Sequence, residues 1–551
     1  MAFLKSVLFF STQLRFGYIL LLGLSLTACQ NINLQLVPQL PQLPQDPLIE
    51  AYFNQSQAST YTESARQQTR LGDNLEDIII DTIANATSSV DVAVQELRLP
   101  GIAQALVERY QAGIKVRVII ENTYNRSWGS LTELEVTQLS ERENERYKEF
   151  FQITDNNMDG YLSQDEINSS DALMMLTNAG VPLIDDTADG SRGSGLMHHK
   201  FIVVDGQTTI VTSANFTNSG IHGDFSESMS RGNANNLLKI ESSELAELFT
   251  EEFNLLWGDG PGGKQDSKFG VKKPFRPVRQ IFIGDTKVAV KFSPISNTKS
   301  WQQSTNGLIN QTLELAQKSI DLSLFVFSSQ QLVNTLENQS RKGVLIQGLI
   351  DPNFAYRYYS EGLDMMGIAL ANKCKYEADN RTWEKPIFTV GVPNLPPGDR
   401  LHHKFGIIDN SIVITGSHNW TEAANKNNDE TLLIIENSTV VAHFDREFQR
   451  LYQTATLGIP SWLIEKVEKQ QKECNYQLTE TQNPTIDTHT KINLNTATIT
   501  ELETLPGVGP KLAERIIQAR QNKPFTSLAD LERVPGIGPN ILEKLSDRVT
   551  W

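Results

Sequence analysis

Apolar residues are spread unevenly along this 551-residue chain, and their runs set the first boundaries. Behind Lys5 and Arg15, an uncharged and mostly apolar run extends from Phe16 to Ala28 and ends Leu26-Thr27-Ala28-Cys29. It is shorter than the ~20 residues a spanning helix needs and reads as a secretory signal closing in a lipobox, the other reading being an ordinary signal-anchor. Gln30 to Asp46, with Pro38, Pro41 and Pro44, reads as an extended tether, and no span follows residue 28. Farther on, a polar segment carrying Tyr147, Phe150 and Phe151 precedes an acidic stretch, and Ala172 to Leu176 follows it, which predicts a helix-loop-helix. Near the C-terminus, Lys511-Leu512-Ala513-Glu514-Arg515-Ile516 has a helical pattern.

Two segments share a polar-then-apolar order residue for residue. His198-His199-Lys200-Phe201-Ile202-Val203-Val204-Asp205 returns as His402-His403-Lys404-Phe405-Gly406-Ile407-Ile408-Asp409. Ser213 and Asn215 follow His198 at the same offsets that place Ser417 and Asn419 after His402. Upstream, Ser89 precedes Gly113 by the same interval that separates Ser319 from Gly343. The chain is therefore two related halves, each carrying half a site. Buried core histidines would not require a lysine two positions on.

This pattern resembles the phospholipase D superfamily, named for its HKD motif, over roughly residues 47 to 457. The resemblance implies an α/β fold of two pseudo-symmetric sandwich halves, with both motifs meeting in one site that cleaves phosphodiesters of lipids or nucleic acids. It also implies that one histidine attacks phosphorus to form a phosphohistidine while the other protonates the leaving oxygen and later activates water, with no catalytic metal. Lys200, Lys404, Asn215 and Asn419 would hold the anionic oxygens, with Ser213 and Ser417 as further donors. Glu430, downstream of His402, stands where the family sets a carboxylate against the ring, and Asn235 is the matching residue of the first half. On that placement, Glu430 raises the pKa of His402 as general acid and Asn235 leaves His198 neutral as nucleophile. Asp205 and Asp409 are expected to fix loop geometry, and His199 and His403 to point elsewhere.

The halves differ in length. The stretch from Gly113 to His198 is longer than its counterpart from Gly343 to His402, so the first half carries an insertion. Within that excess lies Asp155-Asn156-Asn157-Met158-Asp159-Gly160-Tyr161-Leu162-Ser163-Gln164-Asp165-Glu166, which fits an EF-hand loop. Asp155, Asn157 and Asp159 would occupy positions 1, 3 and 5, Gly160 position 6 and Glu166 position 12, with Tyr161 offering its carbonyl and Ser163 a direct or water-mediated ligand. Calcium is expected here in a structural or regulatory role, ordering the insertion over the mouth of the site; the other reading is an acidic solvated loop.

A third unit occupies residues 491 to 551. Leu505-Pro506-Gly507-Val508-Gly509-Pro510 returns farther on as Val534-Pro535-Gly536-Ile537-Gly538-Pro539. It resembles the tandem helix-hairpin-helix domain of bacterial competence DNA receptors, a small all-α unit. Gly507, Gly509, Gly536 and Gly538 would let backbone N–H groups meet a DNA phosphate without reading sequence, with Lys511 beside them. Charge weighs the other way. The unit holds 8 Lys and Arg against 7 Asp and Glu, +1, within a chain of −16, so binding should be weak and salt-sensitive. Protein docking is the other reading.

The expected plan is signal 1–28, tether 29–46, first half 47–262 with an insertion at about 123–178, a basic solvated linker 263–279, second half 280–457, linker 458–490 and the C-terminal unit. Cys29 would carry the lipid, placing the protein in a bacterial envelope as an extracytoplasmic lipoprotein, monomeric because one chain holds both half-sites. Cys374 and Cys474 either pair or remain free buried thiols. Three functions remain: an anchored nuclease, favoured by the C-terminal unit; a phospholipase D hydrolysing membrane phospholipid; and a noncatalytic DNA-capture protein, disfavoured because both motifs are intact.

Overall fold

The computed structural model describes residues 39–474 and 491–551, apart from 498, 504, 506, 507 and 547. Cys29 and Gly507 therefore lie outside the described residues. Each half is built on one mixed sheet. In the first, the strands run in the order Ile49–Phe53, Asn236–Glu241, Thr208–Thr212, Lys200–Val204, Ser89–Val94, Lys115–Ile120 and Leu183–Asp185. In the second, the same order is followed by Thr286–Phe292, Thr431–Glu436, Ile412–Gly416, Lys404–Ile408, Ser319–Leu324, Leu345–Ile350 and Val390–Val392, with one more strand at each edge.

The repeat extends to register. Lys200 lies opposite Val94 and Lys404 opposite Leu324, so both motif lysines start their strands at the same level of the sheet. Both motif strands are buried along their whole length, as the apolar run after each lysine leads one to expect. Gly113 and Gly343 serve one purpose twice: each follows a twelve-residue helix, Pro100–Gln111 or Gln330–Arg341, at a left-handed φ of 86° or 92°.

The halves share a core. Helix Ser243–Trp257 presents Leu245, Phe249, Phe253 and Leu256, and helix Ser438–Tyr452 presents Val440, Val441, Phe444, Phe448 and Leu451, to the same hydrophobic cluster. Phe201, Phe292 and Phe405 of the two sheets join it. Separate clusters cover the outer faces, one under Leu75–Ala84 and Pro100–Gln111 and the other under Thr305–Leu313 and Gln330–Arg341. No helix among the described residues is long and apolar enough to cross a membrane.

The connector between the halves keeps Lys264, Lys268 and Lys272 exposed, as its charge implies, but two of its basic residues turn inward. Lys273 is buried, with Nζ 2.6 Å from Glu252 and also paired to Asp429, and Arg276 reaches Glu252 at 2.9 Å. Two buried carboxylates require cations, and these basic residues supply them.

The first-half insertion forms short helices Glu133–Thr137 and Glu141–Thr154, then the acidic loop, then Gln164–Ser170. The exit helix thus begins inside the loop sequence. It stops at Asp171, whose side chain accepts N–H groups of Leu173 and Met174 and starts Ala172–Ala179. Cys374 and Cys474 are joined in a disulfide that holds the end of helix Ser461–Glu473 to the second half.

The C-terminal unit has its own core, including Leu494, Leu502, Ala513, Ile516, Phe525, Leu531 and Leu545. Gly509 and Gly538 are the N-caps of helices Pro510–Asn522 and Pro539–Leu545, and Gly536 takes a φ of 105°. Lys511 stands in the first turn of the former helix. A parallel pair, Ile492–Asn493 with Val549–Thr550, closes the unit.

Candidate active site

The motif histidines are brought together by backbone that crosses between the halves. Met197 bridges Asp429 and Ala234 bridges Leu401, both in parallel, and His198 N donates to Asp429 O at 3.0 Å while His402 N donates to Ala234 O at 3.1 Å. Each histidine therefore sits beside the strand entrance of the opposite half. That placement overturns one sequence expectation. The Glu430 carboxylate lies 2.7 Å from Nδ1 of His198, not against His402, and the Asn235 amide oxygen lies 2.9 Å from Nδ1 of His402. Ser417 Oγ donates to Glu430 at 2.7 Å, and Ser213 Oγ donates to Asn235 at the same distance. The serines thus orient the groups that orient the rings.

Lys200 Nζ donates to the His198 carbonyl at 3.0 Å and Lys404 Nζ to the His402 carbonyl at 2.5 Å. Lys200 also reaches Gln95 Oε1 at 3.3 Å, whereas Lys404 lies over the ring of Phe325, which in turn meets the His402 ring edge-on at 4.7 Å. The amide oxygens of Asn215 and Asn419 are buried without partners. Asp205 and Asp409 do not reach this site. They lie just past the opposite ends of the motif strands, where Asp205 accepts from the N–H groups of Thr87, Ser88 and Ser89, and Asp409 from those of Gln317, Lys318 and Ser319. Both are loop clamps. His199 turns to Thr431 and Glu252, and His403 to Glu447, as neighbours facing away.

Sequence reasoning missed several supports. Glu121 accepts Met197 N at 2.6 Å and Asp351 accepts Leu401 N at 2.9 Å, so a carboxylate just past the end of an inner strand holds the backbone before each motif. Their equivalence is visible only once the strands are aligned. His418, between Ser417 and Asn419, is buried and bonded to Asn306 at 2.9 Å, where the first half has Ala214.

Burial dominates the electrostatics, and crowded cations add to it. Burial pulls His198 down to about 4 against the pull of Glu430, and burial, then Lys404 and Lys200, hold His402 well below its ordinary range. Burial lowers Lys200 to about 7 and, with Lys200 beside it, takes Lys404 well below its usual value. Burial would raise Glu430, but His198, His418 and Lys200 keep it at about 2. The site is short of negative charge, and a phosphodiester supplies what the lysines lack.

Around the acidic loop, Asp155 accepts the N–H groups of Asp159 and Gly160, at 3.1 and 3.0 Å, and Asp159 accepts that of Tyr161 at 2.9 Å. Asn157 Oδ1 accepts Asp159 N at 2.8 Å. Glu166 accepts from Asn156 and Asn157 and closes a capping box with Ser163. The oxygen-only donor set has the chemistry of a hard divalent cation. Among the described residues its carboxylates do not converge on one point, since Glu166 is turned to the loop's own amides.

A family model for the cardiolipin synthase PLD-like domain matches residues 79–257 and 309–452, more than half of the chain, and a helix-hairpin-helix motif matches residues 487–550. Mitochondrial cardiolipin hydrolase of Xenopus laevis is 26% identical over 203 residues, covering 36% of this chain and 86% of that protein. The human protein of that name is 33% identical over 141 residues, covering 25% and 47%, so the chain spans about half of its length. Among solved structures, phosphatidylserine synthase of Haemophilus influenzae aligns with a TM-score of 0.44 at 13% identity, over 80% of this chain and 97% of that one. Nuc of Salmonella typhimurium, a phospholipase D family member, gives 0.23 at 18%, over 39% and 97%.

Proposed function

Because the chain belongs to the cardiolipin synthase PLD-like family of the phospholipase D superfamily and is a phosphodiesterase, we propose that its substrate is DNA, cleaved through a phosphohistidine. The observation that carries this reading is the helix-hairpin-helix unit on the same chain as the paired motifs. Gly509 and Gly538, at helix N-termini, are the places where backbone N–H groups would meet phosphates.

In this scheme His198 is the nucleophile. Its Nδ1–H is held by Glu430, which turns the Nε2 lone pair outward and stabilises the cationic ring that exists once phosphorus is attached. As the P–N bond forms and the P–O bond breaks, His402, protonated once the bound phosphodiester offsets the two lysines that disfavour its charge, gives its Nε2 proton to the leaving alkoxide; with only an amide at Nδ1, the charged ring is the stronger acid. Neutral His402 then takes a proton from water, the water oxygen attacks phosphorus, and His198 departs. Lys200, Lys404, Asn215 and Asn419 hold the nonbridging oxygens.

The loop Asp155–Glu166 is the candidate calcium site, structural in character, with Asp155, Asn157, Asp159, the Tyr161 carbonyl, Ser163 and Glu166 as its ligands. Calcium should protect the insertion from limited proteolysis, and equal cleavage with and without the ion would remove this assignment. A lipid on Cys29 and an envelope location complete the reading, supported by the disulfide, which suits an oxidising compartment.

The test is incubation of the protein, made without the anchor segment, with plasmid DNA and separately with phosphatidylcholine vesicles, each beside His198→Ala and with an EDTA arm. Plasmid cleavage that persists in EDTA and disappears in the variant is the expected result. Headgroup release with intact plasmid would make the substrate phospholipid, and activity on neither would favour DNA capture.

A further inference from the structure

Backbone crosses between the halves at two places beside the site, and the crossings differ in charge. One sets Asn233 and Ala234 beside Arg400 and Leu401: Arg400 N donates to Asn233 Oδ1 at 2.9 Å, Ala234 N donates to Arg400 O at 2.8 Å, and His402 N returns to Ala234 O. Arg231 joins this crossing through its own N–H, which donates to Asp399 at 2.8 Å. The other sets Gly195 and Leu196 beside Asn427 and Asp429. Counted from the motif histidines, Leu196 stands where the first crossing has Arg400; counted from Asn235 and Glu430, Lys426 stands where it has Arg231.

Only one crossing presents uncompensated cations. Among the described residues neither Arg231 nor Arg400 is paired with a carboxylate, whereas Glu422 holds Lys426 at 2.9 Å. Arg400 is exposed and Arg231 half-buried. The acids around them are engaged or out of pairing range. Asp399 accepts from Ser230 Oγ, Arg231 N and Gln55 Nε2, and Asp224 feels the Arg400 charge without pairing with it. Burial, then the like charges of Arg450 and Arg70, pulls Arg231 below its ordinary range. Guanidiniums in this state, at the mouth of a phosphodiesterase in a chain of −16, call for an anion from outside.

By position that anion is a phosphate other than the one being cut. The scissile phosphate belongs to Lys200 and Lys404, and Arg400 stands two residues from His402, at most about 7 Å of chain. A nucleic-acid strand brings further phosphates at short intervals, one for every ~3.4 Å of helix axis. We infer that Arg231 and Arg400 hold the phosphates next to the scissile one on the His402 side, the side of the departing fragment, so that the site takes strands of several phosphodiesters over a single one. The inference rests on the DNA reading and deepens it.

The full chain should be assayed on a twelve-nucleotide dT strand and on the dinucleoside monophosphate of thymidine, which has one phosphodiester and the same leaving alkoxide. One charge-assisted contact corresponds to about a tenfold change. Arg400→Gln and Arg231→Gln should therefore each lower kcat/KM on the strand by roughly that factor and leave the dinucleoside rate within twofold. The slope of log kcat/KM against log salt on the strand should become shallower by about 0.7 for each arginine removed. Lys426→Gln, at the equivalent place of the other crossing, should change neither substrate. The exposed Arg400 carries the test should the Arg231 variant fail to fold, and the dinucleoside rate reports folding of both. Equal losses on the two substrates would mean that the arginines act through His402, and unchanged rates on both that they hold no phosphate; either result overturns the inference while the DNA reading stands. If the unmodified chain cuts no strand, the DNA reading falls and the inference with it.

Discussion

Glu430 and His198, 232 residues apart in sequence and in different halves, lie 2.7 Å apart at the centre of the site. The carboxylate fixes the ring's tautomer and sustains charge on it, so Glu430→Gln should keep the fold and lower kcat by about 10²–10⁴-fold. Steady-state kinetics beside a circular dichroism spectrum measures this. A rate within threefold of the unmodified enzyme would assign Glu430 to packing.

The two histidines should separate by leaving group. With an ester of p-nitrophenol, whose anion departs without a proton, His402→Ala should recover much of its first-step burst, whereas His198→Ala should stay inactive on every substrate. Rescue of His198→Ala instead would exchange the roles.

Acid should unfold the protein by way of its buried rings. His198 is held at about 4, and burial also lowers His199, His402, His403 and His418. As pH falls below 6.5 the unfolded chain takes up protons that these folded rings refuse. Their contribution is complete above 6.5 and lost towards 4, on the order of 3 kcal/mol for His198. Urea midpoints between pH 7.5 and 4.5 test it, and a flat profile would contradict it.

Asp205→Ala should cost stability and not catalysis. The side chain gathers three successive N–H groups and two hydroxyls at the far end of its strand. Loss of these bonds should destabilise by ~1–3 kcal/mol, with kcat of the folded fraction unchanged. A selective fall in kcat would return Asp205 to the site.

Reduction of the Cys374–Cys474 bond should lower the unfolding midpoint, since the bridge closes a separation of 100 residues, worth ~2–5 kcal/mol. Unfolding with and without dithiothreitol, with Cys474→Ser as control, measures it. An unchanged midpoint would mean that the bridge is already open in solution.

What could be read from the sequence was whatever repeats. His198 and His402, their lysines, serines and asparagines, and Gly113 with Gly343 occur at fixed offsets, and the structure gives each pair equivalent positions. The clamp role of Asp205 and Asp409 was legible for the same reason. The partner of each ring was not, because spacing within a half cannot show that residues 196–198 pair with 427–429 of the other. Nor could charge alone reveal that Lys273 is buried, since its carboxylates, Glu252 and Asp429, come from both halves.

Two copies of one fold related by a pseudo-twofold offer a phosphodiester two equivalent orientations. Here the equivalence is broken on both sides: the insertion packs on the first half alone, Glu149 meeting Asn218, and the Phe325 ring beside His402 and under Lys404 stands where the first half has Gln95 beside Lys200. A chain-like substrate crossing the site therefore meets a different surface upstream and downstream of the bond to be cut, which gives the reaction a polarity that the duplicated motifs alone do not possess.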